Sequence, residues 1–279
     1  MKIIIRIIAI LGVLVSTIMM FISFTSDESL HTAFYVFENL LIDEKLDGFK
    51  IVQLSDFHNH SLNYSNGYLP KLIKDEDPDI IVLTGDFVDQ FTHKHNLSNL
   101  EMLFNELSDY PIYYVPGNHE AYAANAEDFF DLLDSFSNIH NLTDKNEKIM
   151  FNGSSFNLSG IHDPYLKGVN KLDNDNENMR VMEPTVKALR DKLDDKLSIL
   201  LAHRPGMMDL YAKYNFDLVF SGHTHGGQIN LLPVFKYQSG EYKKDNTTLI
   251  VSNGIGSNGK FPIRFNSPMQ LVSLTFKAR

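Results

Sequence analysis

The chain has 279 residues, a formal net charge of -10 and no cysteine. The lack of cysteine excludes a disulfide framework and a thiolate metal site, and the acidic balance argues against nucleic acid as a partner. A chain of this length can bury a core without such cross-links, so we expect one globular domain behind a short N-terminal segment.

The N-terminal segment is the first predicted element. Lys2 and Arg6 precede a run from Ile7 to Phe24 that carries no charge. This run exceeds the ~7–15 apolar residues of a signal-peptide core and approaches the ~20 that span a bilayer. Because basic residues precede the run and acidic residues follow it, the positive-inside rule predicts a single-pass anchor in the cell membrane over residues 1–26, with the domain extracytoplasmic. A cleaved signal peptide is the alternative, and it also sends the domain across the membrane.

The polar ends of several strands form the next pattern. Residues 27–48 are predicted to be a linker with an edge strand around Ala33–Phe37, and residues 49–279 form the main domain. In that domain, five short apolar strands each lead directly into Asp, Asn or His. Because ligands gather where strands of an α/β sheet end, we expect these side chains to converge on one site. They are Asp56 and His58, Asp86 and Asp89, Asn118, His119 and Glu120, His203, and finally His223 and His225.

These five blocks resemble the calcineurin-like metallophosphoesterase superfamily, in which D-x-H, G-D-x-x-D, G-N-H-[DE], a lone His and G-H-x-H occur in this order. All five are present here, and the resemblance covers roughly residues 48 to 279. The stretches Gly226–Ile229, Ser252–Gly256 and Pro262–Phe265 are similar to a membrane-associated bacterial branch. The expected fold is α/β, a four-layer αββα sandwich of two mixed β-sheets flanked by helices, preceded by one N-terminal transmembrane helix.

The resemblance also implies a site with two divalent metal ions. Asp86 is the match for the carboxylate that bridges them. One ion would be completed by Asp56, His58 and His225, and the other by Asn118, His203 and His223. This mixture of nitrogen and oxygen donors suits Mn, Fe or Zn and argues against Mg alone. Two such ions, roughly 3.5–4 Å apart, can bind a phosphoester, lower the pKa of a bridging water and stabilise the in-line transition state.

Several residues near the blocks have other expected roles. The resemblance leaves His119 outside the ligand set, where it donates a proton to the leaving oxygen or stabilises the transition state. Asp89 and Glu120 are predicted to support the ligands rather than to bind metal. Three residues keep both a site role and an ordinary structural or surface role: His60, His162 and Arg204.

Periodicity and capping predict the elements around these strands. Four helices are expected at Tyr68–Lys74, Leu97–Leu107, Ala126–Phe136 and Glu183–Leu193, the last starting at Glu183-Pro184. The polar stretch Lys167–Met179 is expected to be a mobile loop over the site. Three later strands are expected at Ile229–Leu232, Leu249–Val251 and Gln270–Phe276.

The pattern therefore predicts a membrane-anchored, metal-dependent phosphoesterase. It would hydrolyse a phosphodiester, phosphomonoester or pyrophosphate by a hydroxide that bridges the metals, and the anchor makes a lipid-linked substrate an option. The alternative is a non-catalytic metal-binding module of the same fold at the cell surface, and a third option is another dinuclear hydrolase such as an amidase. His119 and the full ligand set together favour the phosphoesterase, because a module that has lost catalysis need not keep both.

Overall fold

The computed structural model describes residues 4, 6, 7, 10–17, 29–58, 67–90, 97–168, 174–228, 230, 235–257 and 264–279. Residues 10–17 are helical. No helix within these described ranges has both the length and the apolar character needed to cross a membrane. Most of the predicted anchor, three of the four residues of the strand expected at Ile229–Leu232, and His60 lie outside the described residues; the fourth, Asn230, is in a turn.

Two mixed β-sheets form the centre of the fold, each with six strands among the described residues. The first sheet contains β1 (Leu30–Asn39), β2 (Lys50–Leu54), β3 (Ile80–Thr84), β4 (Ile112–Val115), β5 (Ile139–Asn141) and β12 (Met269–Ala278). Their spatial order is β1-β12-β2-β3-β4-β5. Among these described strands, β12 and β2 pair antiparallel and the other neighbours pair parallel. The predicted edge strand is therefore β1.

The second sheet contains β6 (Lys145–Phe151), β7 (Ser154–Gly160), β8 (Ser198–Leu201), β9 (Leu218–Ser221), β10 (Gly240–Lys244) and β11 (Thr247–Val251). Their order is β10-β11-β9-β8-β7-β6, with parallel pairing in the middle and antiparallel pairs at both ends. Helices cover the outer faces of the two sheets. They are α1 (Tyr68–Asp75), α2 (Ser98–Glu106), α3 (Ala126–Asp134), α4 (Asp175–Arg190) and α5 (Met208–Lys213).

The strands alternate their side chains between two apolar layers. In β2, Ile51 faces the core between the sheets, whereas Val52 and Leu54 face the core under the helices of the first sheet. Strands buried on both faces read as continuous apolar runs, which is why the sequence predicts them well. This architecture confirms the α/β class with two mixed sheets flanked by helices.

One predicted boundary is wrong. Helix α4 begins at Asp175 rather than at Glu183, because Asn174 caps it by accepting hydrogen bonds from the N–H groups of the next turn. Pro184 lies inside the helix instead of at its start. The packing of its apolar face against α5 and the second sheet outweighs the bond that proline removes. Of the predicted loop Lys167–Met179, Lys167 ends a short 3-10 helix and residues 175–179 are helical, whereas residues 169–173 lie outside the described residues.

Phe49 lies in the core between the two sheets, and we expect its side chain to contribute strongly to the free energy of unfolding. This ring is buried, and its centroid lies 4.9 Å from that of Phe151, 5.2 Å from that of Phe156 and 5.4 Å from that of Phe276. We expect Phe49→Ala to lower the free energy of unfolding by about 3–5 kcal/mol, because it opens a cavity that both sheets line. Chemical denaturation of the two proteins measures the difference.

The matched control is Phe34→Ala, since Phe34 is 70% exposed on the edge strand β1. Its effect should stay within about 0.5 kcal/mol. Equal losses for the two variants would show that the inter-sheet core does not carry the stability assigned to it.

Candidate metal centre

The polar residues after five strands meet at one edge of the sandwich. Strands β2, β3 and β4 of the first sheet and β8 and β9 of the second end at this edge, which we call the metal edge. The side chains that follow them are buried except for His223, which is partly exposed. Among the described residues, three groups have ligand atoms within 4.8 Å of one another, and two of these groups share no member. The first triad is Asp56, His58 and His225, and the second triad is Asp86, His203 and His223.

The distances within the triads fit shared cations. In the first triad, the Nε2 atoms of His58 and His225 are 3.1 Å apart, and His225 Nε2 is 3.5 Å from Asp56 Oδ1. In the second triad, His203 Nε2 lies 3.1 Å from Asp86 Oδ2 and 3.2 Å from His223 Nδ1. Bonds of ~2.0–2.2 Å to one ion place neighbouring ligand atoms about 3.0–3.6 Å apart. The first triad has the members that the resemblance implied, the second contains Asp86 beside His203 and His223, and the ligand roles stay predictions.

Asn118 supplies a further test of fit. Its side chain is buried, and its Oδ1 has no hydrogen-bond partner among the described residues. A buried amide oxygen without a partner costs free energy unless something such as a cation binds it. The residue chemistry therefore fits a metal centre, and the ligand role of Asn118 stays a prediction.

The backbone at this edge is strained. Five candidate ligands have positive φ angles although none is glycine: Asp56 (51°), His58 (50°), Asp86 (58°), His223 (73°) and His225 (50°). Such conformations cost on the order of 1–3 kcal/mol each and cluster at functional sites. Interlocked loops maintain them, since the N–H groups of Asp56 and His58 donate to the carbonyls of Gly85 and Asp86 at 2.9 Å. Asp and His adopt this backbone more readily than most residues, but their presence alone does not predict it.

Hydrogen bonds behind the triads fix which nitrogen faces the metal. His203 Nδ1 lies 2.7 Å from the Thr84 carbonyl, which can only accept, so Nδ1 carries the proton and Nε2 is left for a cation. The carboxylate of Glu120 accepts from the N–H groups of Asp86, Phe87 and Gly117 and so ties two ligand loops together. This is the supporting place predicted for Glu120.

His119 lies beside both triads without belonging to either. Its Nδ1 is 3.2 Å from Asp89 Oδ1, and its Nε2 is 3.9 Å from Asp86 Oδ2. His58, Asp89 and His119 also lie within 4.8 Å of one another, so proximity alone does not exclude a ligand role for His119. A histidine held by a carboxylate at one nitrogen, with the other facing the cluster, has the geometry of a proton donor.

Burial and charge set the protonation of the ligands. Burial lowers the pKa of His58 to about 3, and burial also lowers the pKa of His225 well below its ordinary value. Both imidazoles are therefore neutral and keep a lone pair for a cation. Burial alone would lower the pKa of His203, but the charge and the hydrogen bond of Asp86, together with the charges of Asp56 and Asp163, outweigh burial and raise the pKa to about 10. A cation that binds His203 must displace that proton.

Sequence patterns gave no role to several residues that hold the site. Ser55 Oγ donates to Asp56 Oδ2 at 2.6 Å, and Arg264 is fully buried with its guanidinium 3.2 Å from His225 Nδ1. The stretch Ser252–Gly256 packs beneath Asp56, because the Gly256 N–H donates to the Asp56 carbonyl at 2.7 Å. The segments noted for their family likeness thus support the first triad.

Arg204 and His162, for which the sequence left both a site role and a structural role, are each paired with an acidic residue. Arg204 Nε donates a hydrogen bond to Asp163 Oδ2 at 2.6 Å, and Arg204 Nη1 lies 3.2 Å from His223 Nε2. The acid is buried rather than on the surface, so Arg204 braces the second triad from behind. His162 Nδ1 lies 2.6 Å from Asp144, and no described contact connects His162 with the triads.

Gly222 carries a prediction about the first triad. A Cβ at this position would overlap Ser55 Oγ and Asp56 Oδ2. We expect Gly222→Ala to displace the Asp56 carboxylate and to weaken metal binding about 10–100-fold, as changes behind metal ligands do. Metal titration followed by calorimetry measures this loss. The control is Gly206→Ala, whose Cβ would lie nearest to the exposed carboxylate of Asp175. Unchanged affinity in Gly222→Ala would remove Asp56 from the ligand set.

Comparison with known proteins identifies the domain. Residues 49–227, which contain both triads, match the sequence family described as calcineurin-like phosphoesterase. The class of this domain is that of the metal-dependent phosphoester hydrolases. The chain belongs to the calcineurin-like phosphoesterase family, which confirms the superfamily predicted from the five blocks.

Relatives in other organisms share most of the domain. An uncharacterized metallophosphoesterase of Helicobacter pylori is 34% identical over 241 residues, which cover 83% of this chain and 60% of that protein. YkuE of Bacillus subtilis, an uncharacterized metallophosphoesterase, is 26% identical over 89% of this chain and 86% of its own length. A Bos taurus protein named transmembrane protein with metallophosphoesterase domain is 30% identical over 84% of this chain and 54% of its own length.

A solved structure shows the same fold. The protein TT1561 of Thermus thermophilus aligns with a TM-score of 0.50 and 16% identity, over 75% of this chain and 90% of that chain. At this identity the likeness extends to the fold alone. The chain spans about 60% of the Helicobacter pylori relative.

Proposed function

We propose that the whole protein is a metal-dependent phosphoesterase that hydrolyses a phosphodiester, a phosphomonoester or a pyrophosphate. The observation that carries the proposal is the pair of buried triads with His119 at their side. A module that only bound metal would need the triads, but it would not need a histidine held by Asp89 with Nε2 towards the cluster.

The residues divide the chemistry among them. Two divalent ions, when bound, supply Lewis acidity and activate a water. Each triad would hold one ion, with Asn118 completing the second set and Asp86 shared. Oδ2 of Asp86 faces His203, whereas Oδ1 accepts a hydrogen bond from the backbone N–H of His119 at 2.8 Å. His119 donates the proton that the leaving oxygen needs, and Asp89 orients its ring. The donor set suits Mn, Fe or Zn.

We also propose that the N-terminal segment anchors the protein in the cell membrane with the domain outside the cytoplasm. The uncharged run Ile7–Phe24 and the basic residues before it support this orientation. The described helical residues 10–17 expose large apolar side chains, including Ile10, Leu11 and Val13. The name of the Bos taurus relative also speaks of a transmembrane protein. An enzyme held there would meet lipid-linked phosphoesters at high effective concentration.

The test uses the full chain, purified in detergent and loaded with Mn²⁺, Zn²⁺ or Fe²⁺. We expect close to two ions per chain and turnover of at least one soluble phosphodiester, phosphomonoester or pyrophosphate, which chelation abolishes. Cleavage of an amide but of no phosphoester would favour the amidase. Two bound ions without turnover of any substrate would favour the non-catalytic module.

A further inference from the structure

The chain enters the domain at the metal edge. Strand β1 runs parallel to β12, and β12 runs antiparallel to β2. The first residue of β1, Leu30, therefore lies at the end of the sheet where β2 leads into Asp56. The last residues of the chain lie at the opposite edge, since Asn39 at the end of β1 pairs with Ala278 at the end of β12.

Direct contacts connect the entry point with the first triad. Leu30 pairs with Met269 in the strand ladder. The next residue, Gln270, donates its N–H to the Gly254 carbonyl at 3.0 Å. A Cβ on Gly254 would lie 2.6 Å from the Cβ of Asp56, so its backbone is packed against this ligand. Leu30 is thus connected to Asp56 through the β1–β12 strand pair and the loop that contains Gly254.

The connection to the apolar run is short. Only residues 25–29 lie between Phe24 and Leu30. Even a fully extended chain spans at most ~3.6 Å per residue, so Leu30 cannot lie more than about 20 Å from the end of the run. A tether of this length can hold one face of the domain towards the place where the run is bound.

We propose that the N-terminal segment ties the metal edge to a lipid bilayer, so that the metal centre opens towards the membrane surface. This inference rests on the proposed membrane-anchored phosphoesterase and extends it to a substrate class, phosphoesters carried by lipid headgroups. The occupant is a bilayer because the apolar side chains of residues 10–17 are exposed rather than packed on the domain. With a net charge of -10, the orientation comes from the tether and not from attraction to anionic lipid.

The absence of cysteine allows a direct test with single labels on the full chain. Leu166→Cys places a fluorophore near the metal edge, in the short 3-10 helix Pro164–Lys167 that follows β7, where 39% of Leu166 is exposed. Leu40→Cys places it directly after β1 at the opposite edge, where 79% of Leu40 is exposed. Both labelled proteins are reconstituted in phosphatidylcholine vesicles that contain lipids with a quencher on the headgroup.

We expect quenching to be several-fold stronger for the label at Leu166→Cys than for the label at Leu40→Cys. Equal quenching, or stronger quenching at Leu40→Cys, would overturn the proposed orientation. Failure of the full chain to bind vesicles would overturn it as well. Turnover of a soluble phosphodiester by the same two variants is measured in parallel. A protein that shows the expected quenching but no turnover would retain the orientation and refute the phosphoesterase activity.

The substrate class has its own readout. The full chain in vesicles should cleave a phosphoester on a lipid headgroup several-fold faster than the same headgroup freed of its acyl chains at equal bulk concentration. Equal rates, together with the expected quenching, would refute lipid-borne substrates.

Discussion

Replacement of Asp86 by asparagine is expected to lower turnover at least about 10³-fold, the equivalent of several kcal/mol of lost metal-based stabilisation. Asp86 Oδ2 lies 3.1 Å from His203 Nε2, and Asp86 Oδ1 accepts a hydrogen bond from the backbone N–H of His119. Asparagine keeps the shape and one acceptor oxygen but removes the negative charge that two cations would share. Steady-state kinetics and elemental analysis of the purified protein measure turnover and metal content.

The matched comparison is Asp56→Asn, which removes the same charge from the first triad alone. We expect Asp86→Asn to lose more activity and more metal than Asp56→Asn, because a shared ligand affects both ions. Thermal unfolding of both variants shows whether the fold is intact. Two tightly bound ions and normal turnover in Asp86→Asn would refute its bridging role.

The strands that carry the site could be predicted because they are apolar on both faces. Ile80–Thr84, for example, contains four apolar residues in succession and is followed at once by Gly85-Asp86. Strand β6, Lys145–Phe151, gave no such signal, since it is a partly exposed edge strand rich in Lys, Asn and Glu. Its place is set by antiparallel pairing with β7, a contact that no local pattern reveals.

The meeting of these side chains at one edge could be predicted because each follows a strand in a recognisable block, and their ligand roles stay predictions. Apart from Glu120, most of the residues that hold them could not be predicted, because these partners are distant in sequence. Arg264 lies next to His225 although the two are 39 positions apart in the sequence, and His203 is oriented by Thr84, 119 positions away. The left-handed backbone at Asp56 and Asp86 is likewise a property of interlocked loops rather than of the residue type.

The second large effect is expected at His119. We predict that His119→Ala keeps two ions per chain and loses on the order of 10²–10⁴-fold in turnover, the range for a lost proton transfer. The reason is its position, with Nδ1 held by Asp89 and Nε2 at 3.9 Å from Asp86 Oδ2, beside the triads.

A proton donor also predicts a dependence on the leaving group. Phosphoesters whose leaving oxygen is only weakly basic need no proton, so His119→Ala should cleave them with a much smaller loss than it shows for alkyl phosphoesters. Asp89→Asn serves as the control, because it leaves the imidazole in place and should lose less activity than His119→Ala for every substrate. Loss of an ion from His119→Ala would instead make His119 a ligand. An equal loss for all leaving groups, with both ions retained, would assign it to charge stabilisation rather than to proton transfer.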